Sequence, residues 1–224
     1  ILEMRRRDRP EIWGLRGAYT PVIRRDLRLE VDERTLADGS VRKSVDVDDV
    51  SRAASHLLRA GAEALSIMFV NSYANPENER VAYEAAKAIW PNEHITVSSQ
   101  ILPELREFER ASTTALNATL QPVVGRYLQN LETSLIDAGF EGDILIVQSN
   151  GGVMSVDTAR ETPVRTALSG PAAGVIAAAH IADAAGFPNI VTCDMGGTSF
   201  DVALVADGES ALTAQTSIDF GLVV

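Results

Sequence analysis

The chain has 224 residues, 46% hydrophobic and 23% charged, which is material for one large or two modest soluble domains. Its net charge of −11 argues against a nucleic-acid partner, which would require a basic face. The charge is unevenly shared: residues 1–110 carry 17 Lys/Arg against 19 Asp/Glu, and residues 111–224 only 3 against 12.

Residues 1–45 read as loop and short strands, punctuated by Pro10, Gly14 and Gly17. Arg5-Arg6-Arg7-Asp8-Arg9 is followed by no apolar core, so it reads as a solvated loop and not as a signal peptide. Asp38-Gly39 marks the turn of a hairpin with arms Leu27–Val31 and Val41–Ser44. Asp46 or Asp48 then caps a helix whose apolar face is Val50, Ala53, Ala54, Leu57 and Leu58, with Gly61 closing it. Glu63–Asn71 follows as a strand, apolar at nearly every position and therefore expected to be buried on both faces. Asn75 and Pro76 start a helix as cap and first position, and Pro91 stops it after Trp90. His94–Ser98 is a second strand of the buried type. Strand, helix and strand at this spacing imply a parallel pair and an α/β domain.

Residues 103–111 hold a charge run that reads as a solvated helix or connector. Leu116, Leu120, Val124, Tyr127, Leu131 and Leu135 mark a long amphipathic helix, which Pro122 must kink or divide and Gly139 closes. Leu145–Gln148 is a third buried strand running into Ser149-Asn150-Gly151-Gly152. Ser169-Gly170-Pro171 opens an alanine-rich helix reaching Ala185, too short and interrupted to span a bilayer. The chain then forms the start of a β-meander: a strand through Asp194, its partner Val202–Val205, a turn at Asp207-Gly208 and a third strand through Leu212 and Ala214.

The most informative segment is Asp194-Met195-Gly196-Gly197-Thr198-Ser199-Phe200-Asp201, set between two β-branched runs. Glycine permits φ > 0 and leaves backbone N–H groups unobstructed for an anion. The hydroxyls of Thr198 and Ser199 add donors, and Asp194 and Asp201 can hold a hydrated Mg²⁺. That set suits a nucleoside triphosphate; an ordinary hairpin with a Gly-Gly turn is the alternative. The helix at Pro171 offers a second anion-binding end through Ser169 and Gly170. Ser149 lacks the Gly-x-Ser-x-Gly elbow of a nucleophile. His56, His94 and His180 have no metal-ligand spacing, and Cys193, the one cysteine, reads as a buried small hydrophobe. No Gly-x-x-x-x-Gly-Lys-Ser/Thr or Gly-x-Gly-x-x-Gly motif is present.

The motifs Asn71–Pro76, Leu102–Glu104, Phe108–Thr114, Gln148–Gly152, Leu168–Val175 and Asp194–Val202, in that order, resemble the ATP-dependent hydantoinase/oxoprolinase family. Phe200 departs from the family's usual Thr. The resemblance implies a fragment of an actin-like (ribonuclease H-like) ATPase, with parts of two lobes whose mixed sheets are flanked by helices. Residues 1–105 would be the C-terminal part of the first lobe and 106–224 the N-terminal part of the second. It further implies ATP and Mg²⁺ as cofactors and a small cyclic amide, such as 5-oxoproline or a hydantoin, as substrate. Asp194 would be catalytic; Gly196, Gly197, Thr198, Ser199, Ser169 and Gly170 would bind phosphate, and Asp194 and Asp201 the metal. A related ketone carboxylase subunit and a non-catalytic assembly piece are the alternatives. A partner subunit, a homo-oligomer, a cytoplasmic location and no membrane association are also expected. The first lobe's own phosphate loop is absent from this sequence.

Overall fold

The computed structural model describes residues 21–210, 217–218 and 222–223. The Arg5–Arg9 run, Pro10, Gly14, Gly17, Leu212 and Ala214 lie outside the described residues. Two compact units divide the chain between Tyr127 and Leu128, inside one helix; the short strand pair Ser217–Ile218 and Leu222–Val223 is grouped with the first.

In the first unit a hairpin pairs β1 (Arg34–Thr35) antiparallel with β2 (Val41–Lys43). Asp38 makes the turn by accepting hydrogen bonds from the Ser40 N–H at 2.9 Å and the Ser40 hydroxyl at 2.6 Å, as Asx turns do. Those bonds hold the Asp38 carboxyl below its ordinary range. The first arm is thus Arg34–Thr35 and not Leu27–Val31, whose first residue ends the 3₁₀ turn Arg25–Leu27.

Helix α1 (Val47–Arg59) starts where Asp46 accepts hydrogen bonds from the N–H groups of Asp48 and Asp49. It buries Val50, Ala54 and Leu57. Each large aliphatic residue so buried contributes roughly 1.5–3 kcal/mol. Strand β3 (Leu65–Ile67) pairs in parallel with β4 (Ile95–Val97), as the strand–helix–strand spacing requires. Between them α2 (Glu77–Lys87) packs Ala82 and Ala86 onto the core formed by Val50, Ala54, Leu57, Leu65, Ile67, Trp90 and Ile95. Asn75 Oδ1 accepts from the Glu77 N–H, so α2 opens one residue after the predicted start and ends before Trp90.

Both strands are shorter than their apolar runs. Glu79 on α2 is fully buried and its carboxylate takes the N–H of Phe69 at 2.8 Å, which removes that donor from a strand ladder. The same carboxylate accepts from the Ser98 hydroxyl at 2.6 Å and the Ser99 N–H at 2.9 Å, at the start of the single turn α3 (Ser98–Ile101).

Helix α4 (Glu107–Asp137) is one element of 31 residues, so Pro122 does not divide it. Its charged start is not solvated: Glu109 and Arg110 are buried. Arg110 donates to the Phe69 carbonyl at 3.0 Å and to the Glu104 carbonyl, and its guanidinium sits 5.7 Å from the Tyr73 ring centre. Burial lowers its pKa while the nearby Glu79 charge acts in the other direction. The inward face of α4 is largely polar. Asn117 donates to the Thr96 hydroxyl at 3.0 Å, and Thr96 donates to Gln121 at 3.0 Å. Tyr127, expected on the buried face, is 63% exposed.

The second unit begins with a hairpin of β5 (Leu145–Val147) and β6 (Val153–Ser155), then α5 (Val156–Glu161) and a 3₁₀ turn at Pro163–Thr166. Leu145 is exposed, so β5 is a hairpin arm and not a buried strand. Helix α6 (Ser169–Ala184) follows, with Pro171 as its third residue instead of its first. The meander β7 (Ile190–Met195), β8 (Phe200–Ala206) and β9 (Glu209–Ser210) completes the unit.

Candidate functional site

Alternation along β7 and β8 divides the meander into two faces, since successive side chains point oppositely. The register pairs Ile190 with Val205, Thr192 with Ala203 and Asp194 with Asp201 on one face. On this face Val205 is buried, and the Cβ position of Gly174 on α6 lies 3.9 Å from Asp194 Oδ2. Val191 with Leu204, Cys193 with Val202 and Met195 with Phe200 form the other face, all exposed. Cys193 is therefore not the buried hydrophobe its neighbours suggested, because α6 covers the opposite side.

The strand pair carries Asp194 and Asp201 directly across from each other, where Cβ atoms stand about 4.5–5.5 Å apart. Like charges so placed repel, and among the described residues neither carboxylate makes an ion pair or side-chain hydrogen bond. The loop between them closes by one bond, from the Gly196 N–H to the Ser199 carbonyl at 3.0 Å. That uses the Gly196 donor, whereas the N–H groups of Gly197, Thr198 and Ser199 make no backbone bond among the described residues. Neither Gly196 nor Gly197 adopts a positive φ, contrary to the sequence expectation. A Cβ built on Gly197 meets nothing within 4 Å, so the loop is open to its surroundings there.

Helix α6 starts beside this face. Leu168 precedes it in the left-handed conformation (φ 62°) and supplies no side-chain cap, so the N–H groups of Ser169 and Gly170 have none. The turn at 148–152 reaches the 3₁₀ turn before that helix, where the Ser149 N–H donates to the Arg165 carbonyl at 2.7 Å, and the helix itself, where Gly151 approaches Ile176. The turn at 149–152 and the Asp194 loop thus both approach α6 within the second unit. The sequence marks 149–152, with 169–174 and 194–201, as small-residue turns whose N–H groups could face one ligand. The approach of Gly151 to Ile176 it does not show; the signal was the Gly-Gly pair, which leaves a turn able to approach a helix closely.

His56 lies on α1, His180 on α6 and His94 just before β4. Among the described residues no group of three or more His, Cys, Asp or Glu side chains could hold a metal ion. Two facing carboxylates nevertheless fit Mg²⁺, which keeps several waters and takes one or two protein carboxylates alongside phosphate oxygens. A second acidic concavity, in the first unit, is not such a site. Of its acids, Asp32 pairs with Lys43, Asp49 with Arg52, and Glu33 accepts from Asn78 at 2.7 Å.

A mixed α/β chain with a parallel βαβ pair, then a helix-backed meander around an acid-flanked glycine loop, is part of an actin-like architecture. The sequence model of the Hydantoinase/oxoprolinase family matches residues 110–223, and that of the Hydantoinase/oxoprolinase N-terminal region matches residues 1–90. The chain belongs to this family. It is 33% identical over 197 residues to caprolactamase subunit alpha of Pseudomonas jessenii, covering 87% of this chain and 28% of that protein. The crystal structure of the ATP-dependent caprolactamase from that organism superposes with a TM-score of 0.83 at 30% identity, over 99% of this chain and 32% of that one. A nucleotide-free acetone carboxylase structure gives 0.76 at 31% identity, over 93% and 29%. The 5-oxoprolinase of Saccharomyces cerevisiae is 31% identical over 185 residues, covering 82% of this chain and 14% of that protein. The chain therefore spans a third or less of each of these relatives. Among the described residues no helix is long and apolar enough to cross a membrane.

Proposed function

We propose that this chain is part of an ATP-dependent cyclic-amide hydrolase that opens a ring such as 5-oxoproline or a hydantoin. Residues 1–105 belong to the end of its first lobe and residues 106–224 to the start of its second. The observation that carries the reading is the pairing of Asp194 with Asp201 across a loop whose backbone donors at Gly197, Thr198 and Ser199 remain available. Those donors, with the Thr198 and Ser199 hydroxyls, would hold phosphate oxygens, while the Gly196 N–H keeps the turn closed. Ser169 and Gly170 would add the positive end of α6. Asp194, with Asp201 opposite, would hold Mg²⁺ through water, and the bound ion would supply neutralisation of phosphate charge in an otherwise acidic half. Positioning and charge stabilisation are then what the protein contributes to phosphoryl transfer onto the amide oxygen. A partner subunit, a homo-oligomer and a cytoplasmic location belong to the same reading.

The likeness to the acetone carboxylase structure favours a second reading, a subunit of an ATP-dependent ketone carboxylase, with the same phosphate loop. Asp194→Asn in the full-length protein keeps the side-chain shape and removes the charge. Mg²⁺-dependent ATPase is expected to fall at least about tenfold, about 1.4 kcal/mol of transition-state stabilisation, with folding unchanged. Turnover at the unmodified rate would leave Gly196-Gly197 a plain hairpin turn. ATP hydrolysis stimulated by 5-oxoproline or hydantoins, against stimulation by ketone with bicarbonate, separates the two enzymes.

A further inference from the structure

We propose that Ser149 and Gly151 are positioning residues of the phosphate cleft, fixing the start of α6 against the Asp194 loop; the proposal rests on the nucleotide reading above. The turn they occupy joins β5 to β6 and bears on the segment leading into α6 through Ser149 and on α6 itself through Gly151. Ser149 N–H donates to the Arg165 carbonyl at 2.7 Å. The Ser149 hydroxyl lies 2.7 Å from that carbonyl and also within bonding distance of the Ala167 carbonyl. The Ser149 hydroxyl is thus placed between the Arg165 and Ala167 carbonyls and can donate its one proton to either.

Ala167 immediately precedes Leu168, the left-handed residue from which α6 departs. A non-glycine residue is strained in that conformation and keeps it only where its surroundings hold it. The Ser149 hydroxyl is such a hold. On the other side of the turn Gly151 has φ 83°, and a Cβ there would stand 1.9 Å from Ile176 Cδ1, inside the second turn of α6. Any other residue there is strained by the backbone and must push the Ile176 side chain aside. Between these two grips lies Gly174, whose Cβ position is 3.9 Å from Asp194 Oδ2. The helix that the 149–152 turn locates is thus the helix that lies against the carboxylate. Phosphoryl-transfer groups act through position, so a displacement of α6 by a fraction of its pitch reaches both Asp194 and the Ser169–Gly170 donors.

The test uses the full-length protein, with Mg·ATP affinity by calorimetry, kcat and KM for ATP, and the melting temperature. Ser149→Ala is expected to raise Kd and KM for Mg·ATP by about tenfold while the melting temperature falls by only a few degrees, the loss of one hydrogen bond, and Ser149→Thr to restore them. Gly151→Ala is expected to show the same defect, partly relieved in Gly151→Ala/Ile176→Ala, where the Cδ1 atom is gone. Ser149→Ala with unmodified Kd and KM, alongside an impaired Asp194→Asn, overturns the positioning role and leaves the phosphate reading standing. A lowered melting temperature with unmodified nucleotide affinity overturns it too, assigning Ser149 to stability. Normal turnover by Asp194→Asn removes the reading on which the proposal rests.

Discussion

Glu79 sits among three donors, the N–H groups of Phe69 and Ser99 and the hydroxyl of Ser98, and Ser98 Oγ also lies 3.2 Å from Ser72 Oγ. A fully buried carboxylate is tolerable only when its lone pairs are so occupied. Arg110 contributes the opposite charge nearby, and it is bound to the same Phe69 residue through the carbonyl. Glu79→Gln presents an amide NH₂ to at least one of those donors and removes the larger of the two carboxylate charges, Glu79 and Glu107, that act on Arg110. Unfolding in urea is expected to show a loss of about 2–3 kcal/mol. A loss below about 0.5 kcal/mol would place the carboxylate outside the stability of this unit. The nearby Glu77, by contrast, is held below the ordinary carboxylate range by a surface hydrogen bond from Arg80 and carries no such expectation. At Asp194 and Asp201 the residues were legible in sequence because strand, turn and acid spacing are local. Which N–H of the loop remains available was not, since that depends on the Gly196–Ser199 closure.

Helix α4 shows where the sequence signal ended. Its apolar period over Leu116–Leu135 correctly marks a long helix, but its buried stripe carries Arg110, Thr114, Asn117 and Gln121 at intervals of three and four, the last two bonded to Thr96 of β4. A hydrophobic-period reading has no weight for such a stripe, and it reads the Glu107–Arg110 charges as solvated. The run Ala111-Ser112-Thr113-Thr114 carried the missing clue: small side chains permit close approach, and each is buried. The same limit explains β3, where an apolar run of nine residues yields a strand of three because Phe69 donates to Glu79. A measurable consequence follows at the start of α4. Leu105 is 61% exposed and the Arg106 side chain 59%, whereas Arg110 is inaccessible. Limited trypsin digestion is expected to cut after Arg106 and to spare Arg110. Prompt cleavage after Arg110 would show that the first turns of α4 open in solution.

At the scale of the molecule, one glycine loop with its helix is present where the family resemblance implies two closing on ATP. The purified 224-residue chain is accordingly expected to hydrolyse no ATP detectably, with or without 5-oxoproline. Substrate-stimulated turnover by it would sink the requirement for both lobes. The same incompleteness is visible on the meander. Val191, Met195, Phe200, Val202 and Leu204 are each more than half exposed on one side of a three-stranded sheet, an apolar area of the kind that soluble chains keep covered. Cys193 lies in the middle of that patch and is the one thiol in the sequence. It is therefore a built-in chemical reporter. In the isolated chain it should be alkylated by a maleimide within the time taken by a free thiol, because nothing among the described residues shields it. In the full-length protein its labelling should slow by orders of magnitude, and the ratio of the two rates reads out, without any enzyme assay, how completely the remaining polypeptide seals the back of the meander.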